Sequence, residues 1–81
     1  MIDKAKELVQ RYVDEHIDHG NPEAEPTLFV VWQAAILDNF KCLIATTLPY
    51  GMHFEMTYDG DRKCWYMDVY RKVKNVEIAD V

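Results

Sequence analysis

The sequence predicts an α+β domain, one N-terminal amphipathic helix packed on a four-stranded antiparallel meander sheet, and three observations predict it. Ile2, Ala5, Leu8, Val9, Tyr12, Val13, His16 and Ile17 recur at steps of three and four residues, with Asp3, Lys4, Glu7, Gln10, Arg11, Asp14, Glu15 and Asp18 on the opposite arc. In the second half, Met52, Phe54 and Met56 alternate with His53, Glu55 and Thr57, and Trp65, Met67 and Val69 alternate with Cys64, Tyr66, Asp68 and Tyr70. Successive strand side chains point to opposite faces, so this is a hairpin with one apolar and one functionalised face. Turn formers separate the apolar runs at strand-length intervals.

The helix spans about residues 3–19. Asp3 caps its start, Glu7 with Arg11 supports it at i,i+4, and Gly20 before Asn21-Pro22 ends it, because glycine takes the left-handed cap cheaply and proline cannot continue a helix. Strands follow over about 28–37, 40–48, 52–58 and 63–72. Asp38-Asn39, Pro49-Tyr50-Gly51 and Asp59-Gly60 supply the reversals. A helix of about 17 residues and a strand of seven or eight residues are both about 25 Å long, so the two layers match. Val76 and Ile78 leave two readings for residues 73–81, a short strand or a tail.

Turns centred on Asp38-Asn39, between Thr47 and Met52, and on Gly60-Asp61 assign the faces. Val30, Trp32, Ala34, Ile36, Leu43, Ala45, Phe54, Met56, Trp65, Met67 and Val69 go under the helix. Phe29, Val31, Gln33, Ala35, Leu37, Phe40, Cys42, Ile44, Thr46, His53, Glu55, Thr57, Cys64, Tyr66, Asp68 and Tyr70 go to the other side. Trp32 and Trp65 are then core anchors, and Met52, Met56 and Met67 fill the core.

At 81 residues with 49% hydrophobic content and ten aromatics, the chain is one small folded domain rather than a disordered segment. A net charge of −5, with nine scattered Lys and Arg, excludes a phosphate-binding face and hence nucleic acid. No apolar run approaches the roughly 20 residues that span a bilayer, so no membrane partner is expected and the location is cytoplasmic. Cys42 and Cys64 form no CxxC pair, and on one face of non-adjacent strands they would lie about 9 to 10 Å apart, too far for a disulfide. His16 and His19 are three apart, a metal-ligand spacing to which Glu23 could add a third ligand, but His16 falls in the middle of the apolar stripe and reads as a packed or dipole-facing histidine, so no metal and no cofactor are expected.

One helix cannot cover both sheet faces, so the second face is the candidate site. Phe29, Val31, Gln33, Leu37, Phe40, Ile44, His53, Glu55, Tyr66, Asp68 and Tyr70 form the expected partner-binding face, with self-association (a dimer favoured) or another protein as partner. An alternative is a small-ligand site in which Tyr50, His53, Tyr66 and Tyr70 stack on a nucleotide-like molecule. A hydrolase using His53 as base beside Asp68 is a third reading; it lacks a nucleophile and an oxyanion motif, so the chain is read as non-enzymatic.

The stretches Val30-Val31-Trp32-Gln33, Leu43-Ile44-Ala45-Thr46-Thr47, Gly51 to Asp61 and Tyr66 to Lys72 resemble a family of small tailed-phage and prophage proteins, a domain of unknown function, over about residues 30–72. In that family a tyrosine is commoner at the position of His53 and an asparagine at Asp59, which counts against a catalytic His53. The resemblance implies a phage accessory protein acting in the cytoplasm of a bacterial host, and it implies no mechanism; a bacterial host or defence protein is then the expected partner where the face does not self-associate.

Overall fold

The computed structural model describes residues 1–16, 27–47 and 52–80. Helix α1 spans Ile2–His16 and is followed by strands β1 (Leu28–Ile36), β2 (Asn39–Thr46), β3 (His53–Asp59) and β4 (Cys64–Tyr70), in sheet order β1-β2-β3-β4 with every neighbour antiparallel. This is the expected α+β meander. Residues 71–80 are exposed and carry no regular structure, so the terminal strand does not form.

Helix α1 forms where its apolar stripe meets the sheet. Ala5, Val9 and Val13 are fully buried, with Ile2, Leu8 and Tyr12 packed around them. The outer arc carries the Glu7–Arg11 pair (3.1 Å), the Lys4–Glu7 pair (3.6 Å) and a Gln10–Asp14 hydrogen bond (2.9 Å). Such exposed pairs contribute only about 0.3–0.5 kcal/mol each, so tertiary burial holds the helix. Asp3 lies inside the first turn rather than at the cap: the carbonyl of Met1 already accepts the Ala5 N–H at 3.0 Å. At the other end, His16 stacks on Tyr12 with ring centroids 4.3 Å apart and is exposed. The expected helix stop at Gly20 to Pro22 lies outside the described residues.

The sheet register departs from expectation at two places. Between β2 and β3, Ile44 pairs with Phe54 and Cys42 with Met56, one residue away from the predicted alignment. Phe40, Cys42, Ile44 and Thr46 therefore lie under the helix, and Leu43 and Ala45 lie opposite, the reverse of the sequence reading. Within β1, a bulge between Val30 and Trp32 adds a residue and flips everything beyond it. Trp32, Ala34 and Ile36 thus join Leu43 and Lys41 on the open side, whereas Gln33 and Ala35 turn to the helix side. Trp32 is 41% exposed and is not a core anchor. The faces of β3 and β4 are as expected: Phe54, Met56, Trp65 and Met67 pack into the core cluster with Phe40, Cys42, Ile44 and Met52.

The β1–β2 and β3–β4 turns each hold a non-glycine residue with positive φ. In the two-residue β1–β2 loop, Leu37 has φ 57° and is 97% exposed, so a branched side chain sits in the left-handed region without any packing to offset the strain. Leu37→Gly is expected to stabilise the fold by about 0.5–1 kcal/mol, read as a rise of a few degrees in the thermal midpoint. Four residues connect β3 to β4, with Lys63 at φ 53°. Asp59 organises that loop by accepting the N–H groups of Asp61 (3.0 Å) and Arg62 (3.2 Å) on Oδ1.

Candidate functional site: the open face of the sheet

The register lays the open face out as rows of paired residues running from β1 to β4. Phe29, Ala45, His53 and Tyr70 form one row; Trp32, Leu43, Glu55 and Asp68 the next; Ala34, Lys41, Thr57 and Tyr66 the third. Ile36 beside Asn39, and Asp59 beside Cys64, close the far end. The β1 side of this grid is apolar and the β4 side is acidic and aromatic. Phe29, Trp32, Ile36, Tyr66 and Tyr70 are exposed by 41% to 71%.

Charge on this face is concentrated on β3, β4 and their turn. Glu55 and Asp68 stand directly opposite each other, an arrangement that like charges disfavour. Lys41 relieves it, its Nζ reaching Glu55 Oε1 at 3.2 Å from the adjacent strand. A concavity of about 500 Å³ lies over the third row, between Trp32, Ala34 and Ile36 on one side and Thr57 and Tyr66 on the other, with Asp59 and Asp61 at its end. The Tyr66 hydroxyl is raised above its ordinary pKa, chiefly by its hydrogen bond with Cys64, so it remains a neutral donor.

Of the residues expected on this face, Phe29, His53, Glu55, Tyr66, Asp68 and Tyr70 are there. Phe40 and Ile44 are not: they are 8% and 0% exposed beneath the helix. Gln33 faces the helix side, Val31 is the residue added by the bulge, and Leu37 occupies the turn. The sequence reading missed Trp32, Ile36, Leu43 and Lys41. Lys41 carried the usable signal, because its charge belongs on the solvated side and its neighbours in alternation, Asn39 and Leu43, must follow it.

His53 pairs across the sheet with Tyr70, and Asp68 with Glu55, so the supposed base and its carboxylate are diagonal neighbours rather than opposed. Cys42 and Cys64 lie on opposite faces, and both are free thiols. Burial pushes the Cys42 thiol pKa up, which keeps it protonated and inert. Among the described residues, no group of three His, Cys, Asp or Glu is placed to hold a metal ion. Tyr50, His19 and Glu23 lie outside the described residues. No helix among the described residues is long and apolar enough to cross a membrane.

A small α+β chain with one helix-covered and one open sheet face is the class of protein that these observations define. Residues 2–80 match the model of a family of unknown function (DUF6275), and the chain belongs to that family. No curated protein and no solved structure matches it.

Proposed function

We propose that this chain is a non-enzymatic binding module that holds another protein against the open face of its sheet. The observation that carries this reading is the juxtaposition of exposed Phe29, Trp32, Ile36, Tyr66 and Tyr70 on one uncovered surface. Aromatic side chains of this kind supply most of the affinity in protein interfaces. The acids of β3, β4 and their turn favour a partner with an apolar anchor and a basic rim. The phage resemblance supports a bacterial host or defence protein as that partner, met in the host cytoplasm.

Substitutions on the face test this reading. With the chain immobilised and exposed to bacterial host lysate, a captured protein should be lost at least about tenfold with Tyr66→Ala or Tyr70→Ala and kept with Ile78→Ala in the exposed C-terminal segment. Capture that ignores the face substitutions, or no capture at all, counts against it.

The concavity over Thr57 favours a second reading, in which a small planar ligand sits between Trp32 and Tyr66. The carboxylates of Asp59 and Asp61 at its end disfavour a phosphate there. A nucleoside that raises the thermal midpoint of the wild-type chain but not of Tyr66→Ala would favour this reading over the first.

A further inference from the structure

Among the described residues, none covers the half of β1 beyond the bulge. Val31, Trp32, Gln33, Ala34, Ala35 and Ile36 are all exposed, including Gln33 and Ala35, which face the helix side. The helix covers β2 and β3 but leaves this half of β1 in solvent. β1 is also an edge strand, and none of its nine residues is charged or proline. Edge strands normally carry charge, proline or extreme shortness because their unpaired N–H and C=O groups recruit other strands. The other edge, β4, contains Asp68 and runs into Arg71 and Lys72.

Backbone alternation shows what this edge offers. A two-residue loop makes Ile36 and Asn39 a hydrogen-bonded pair, so Ile36, Ala34 and Trp32 direct their amides to β2, and Gln33 and Ala35 direct theirs outward. Such an edge is complementary to itself. With a second copy antiparallel and centred on Ala34, Gln33 meets Ala35 of the second copy and Ala35 meets its Gln33, four backbone bonds in all. Trp32 then lies across from Ile36 of the other copy, on the same face.

Electrostatics agree. Two chains of net charge −5 would meet along their uncharged strands, with the acids of β3 and β4 farther from the seam than one Debye length of about 8 Å.

We propose that two copies of this chain pair antiparallel along Trp32–Ile36 of β1, about a two-fold axis normal to the sheet at Ala34, to make one continuous eight-stranded sheet. Both helices then lie on one side and both open faces on the other, so the dimer presents two copies of the recognition surface in one plane.

Sedimentation equilibrium of the full chain tests this. The wild-type mass is expected at about 19 kDa, twice the 9.5 kDa of one chain. Ala35→Pro removes an outward N–H that makes no bond within the chain, and should raise the dimer dissociation constant at least about 100-fold. Ala34→Lys places two ammonium groups at the axis and should do the same; it carries the test if circular dichroism shows Ala35→Pro to be unfolded. In a Cys64→Ala background, Ala34→Cys should form a disulfide-linked dimer on mild oxidation, and Tyr66→Cys should not. A wild-type mass of 9.5 kDa at every concentration, a dimer indifferent to Ala34→Lys, or no Ala34→Cys cross-link would overturn the proposal. Tyr66→Ala should leave the mass at 19 kDa, so failure of the open-face reading and failure of this one are separable.

Discussion

Phe54→Ala is expected to destabilise the fold by about 3–5 kcal/mol, the largest effect of any single truncation here. Phe54 is fully buried, pairs with Ile44 and Val69 on its flanking strands, and sets its ring edge-on to Tyr12 at 5.7 Å. It therefore joins the helix to three strands at once. A domain of this size has about 4–12 kcal/mol of total stability, so the variant stands close to unfolding at room temperature. His53→Ala, one residue away on the open face, should cost about 1 kcal/mol or less. The same contrast applies on β2, where Ile44→Ala should cost about 2–5 kcal/mol and Leu43→Ala clearly less, since Ile44 is fully buried and Leu43 only partly. Urea midpoints at one fixed protein concentration measure all four, the fixed concentration being needed because a dimer makes stability concentration-dependent. A larger loss for Leu43→Ala than for Ile44→Ala would mean that the β2 register is the one the alternation pattern first suggests.

That comparison marks where sequence patterning stops being informative. In β3 and β4 the two alternating sets differ sharply in polarity, Phe54 and Met56 against His53, Glu55 and Thr57, so only one face can go inward. β2 has weaker contrast. Phe40, Cys42, Ile44 and Thr46 form one set and Lys41, Leu43 and Ala45 the other, and hydrophobicity alone barely separates them. β1 has almost none, because both of its sets are apolar, and a one-residue bulge then inverts half the strand at little cost. The weak contrast in β1 has its own physical meaning. A strand apolar on both sides suits burial on both sides, yet the single helix leaves Val31 to Ile36 in solvent.

The candidate site follows the same division. His53, Glu55, Tyr66, Asp68 and Tyr70 were legible because they come from the two strands with clear alternation, and they supply the acidic and aromatic half of the open face. The apolar half comes from Trp32, Ile36 and Leu43, which parity assigned to the core. A bulge has no sequence marker here: Val30-Val31 lacks glycine, and only the pairing of Trp32 with Leu43 reveals it. What the face recognises is set by the two halves together, an aromatic and aliphatic strip beside carboxylates, and that combination is visible only once β1 is in its observed register.

Gly60→Ala is the second large effect, expected to cost about 2–3 kcal/mol and to lower the thermal midpoint by about 10–20 °C. The reason is a close approach between the two turns at one end of the sheet. A Cβ on Gly60 would lie 2.2 Å from the Asp38 carbonyl oxygen and 2.7 Å from Asp38 Cβ, and the carbonyl belongs to a two-residue loop with little freedom to retreat. The Gly60 N–H also donates to Asn39 Oδ1 at 3.0 Å, so displacing residue 60 breaks the hydrogen bond that links the β3–β4 turn to the β1–β2 turn. Asn39→Ala alone should cost about 1 kcal/mol. The double variant should cost less than the two single changes added together, because the clash has already removed what Asn39 contributes. A Gly60→Ala midpoint within experimental error of wild type, or strict additivity with Asn39→Ala, would show that the turns do not abut. The consequence reaches the open face, since Asn39, Asp59 and Asp61 border the concavity beside Ile36. Glycine at position 60 therefore fixes where the acidic end of the site stands relative to the apolar strand that carries Trp32.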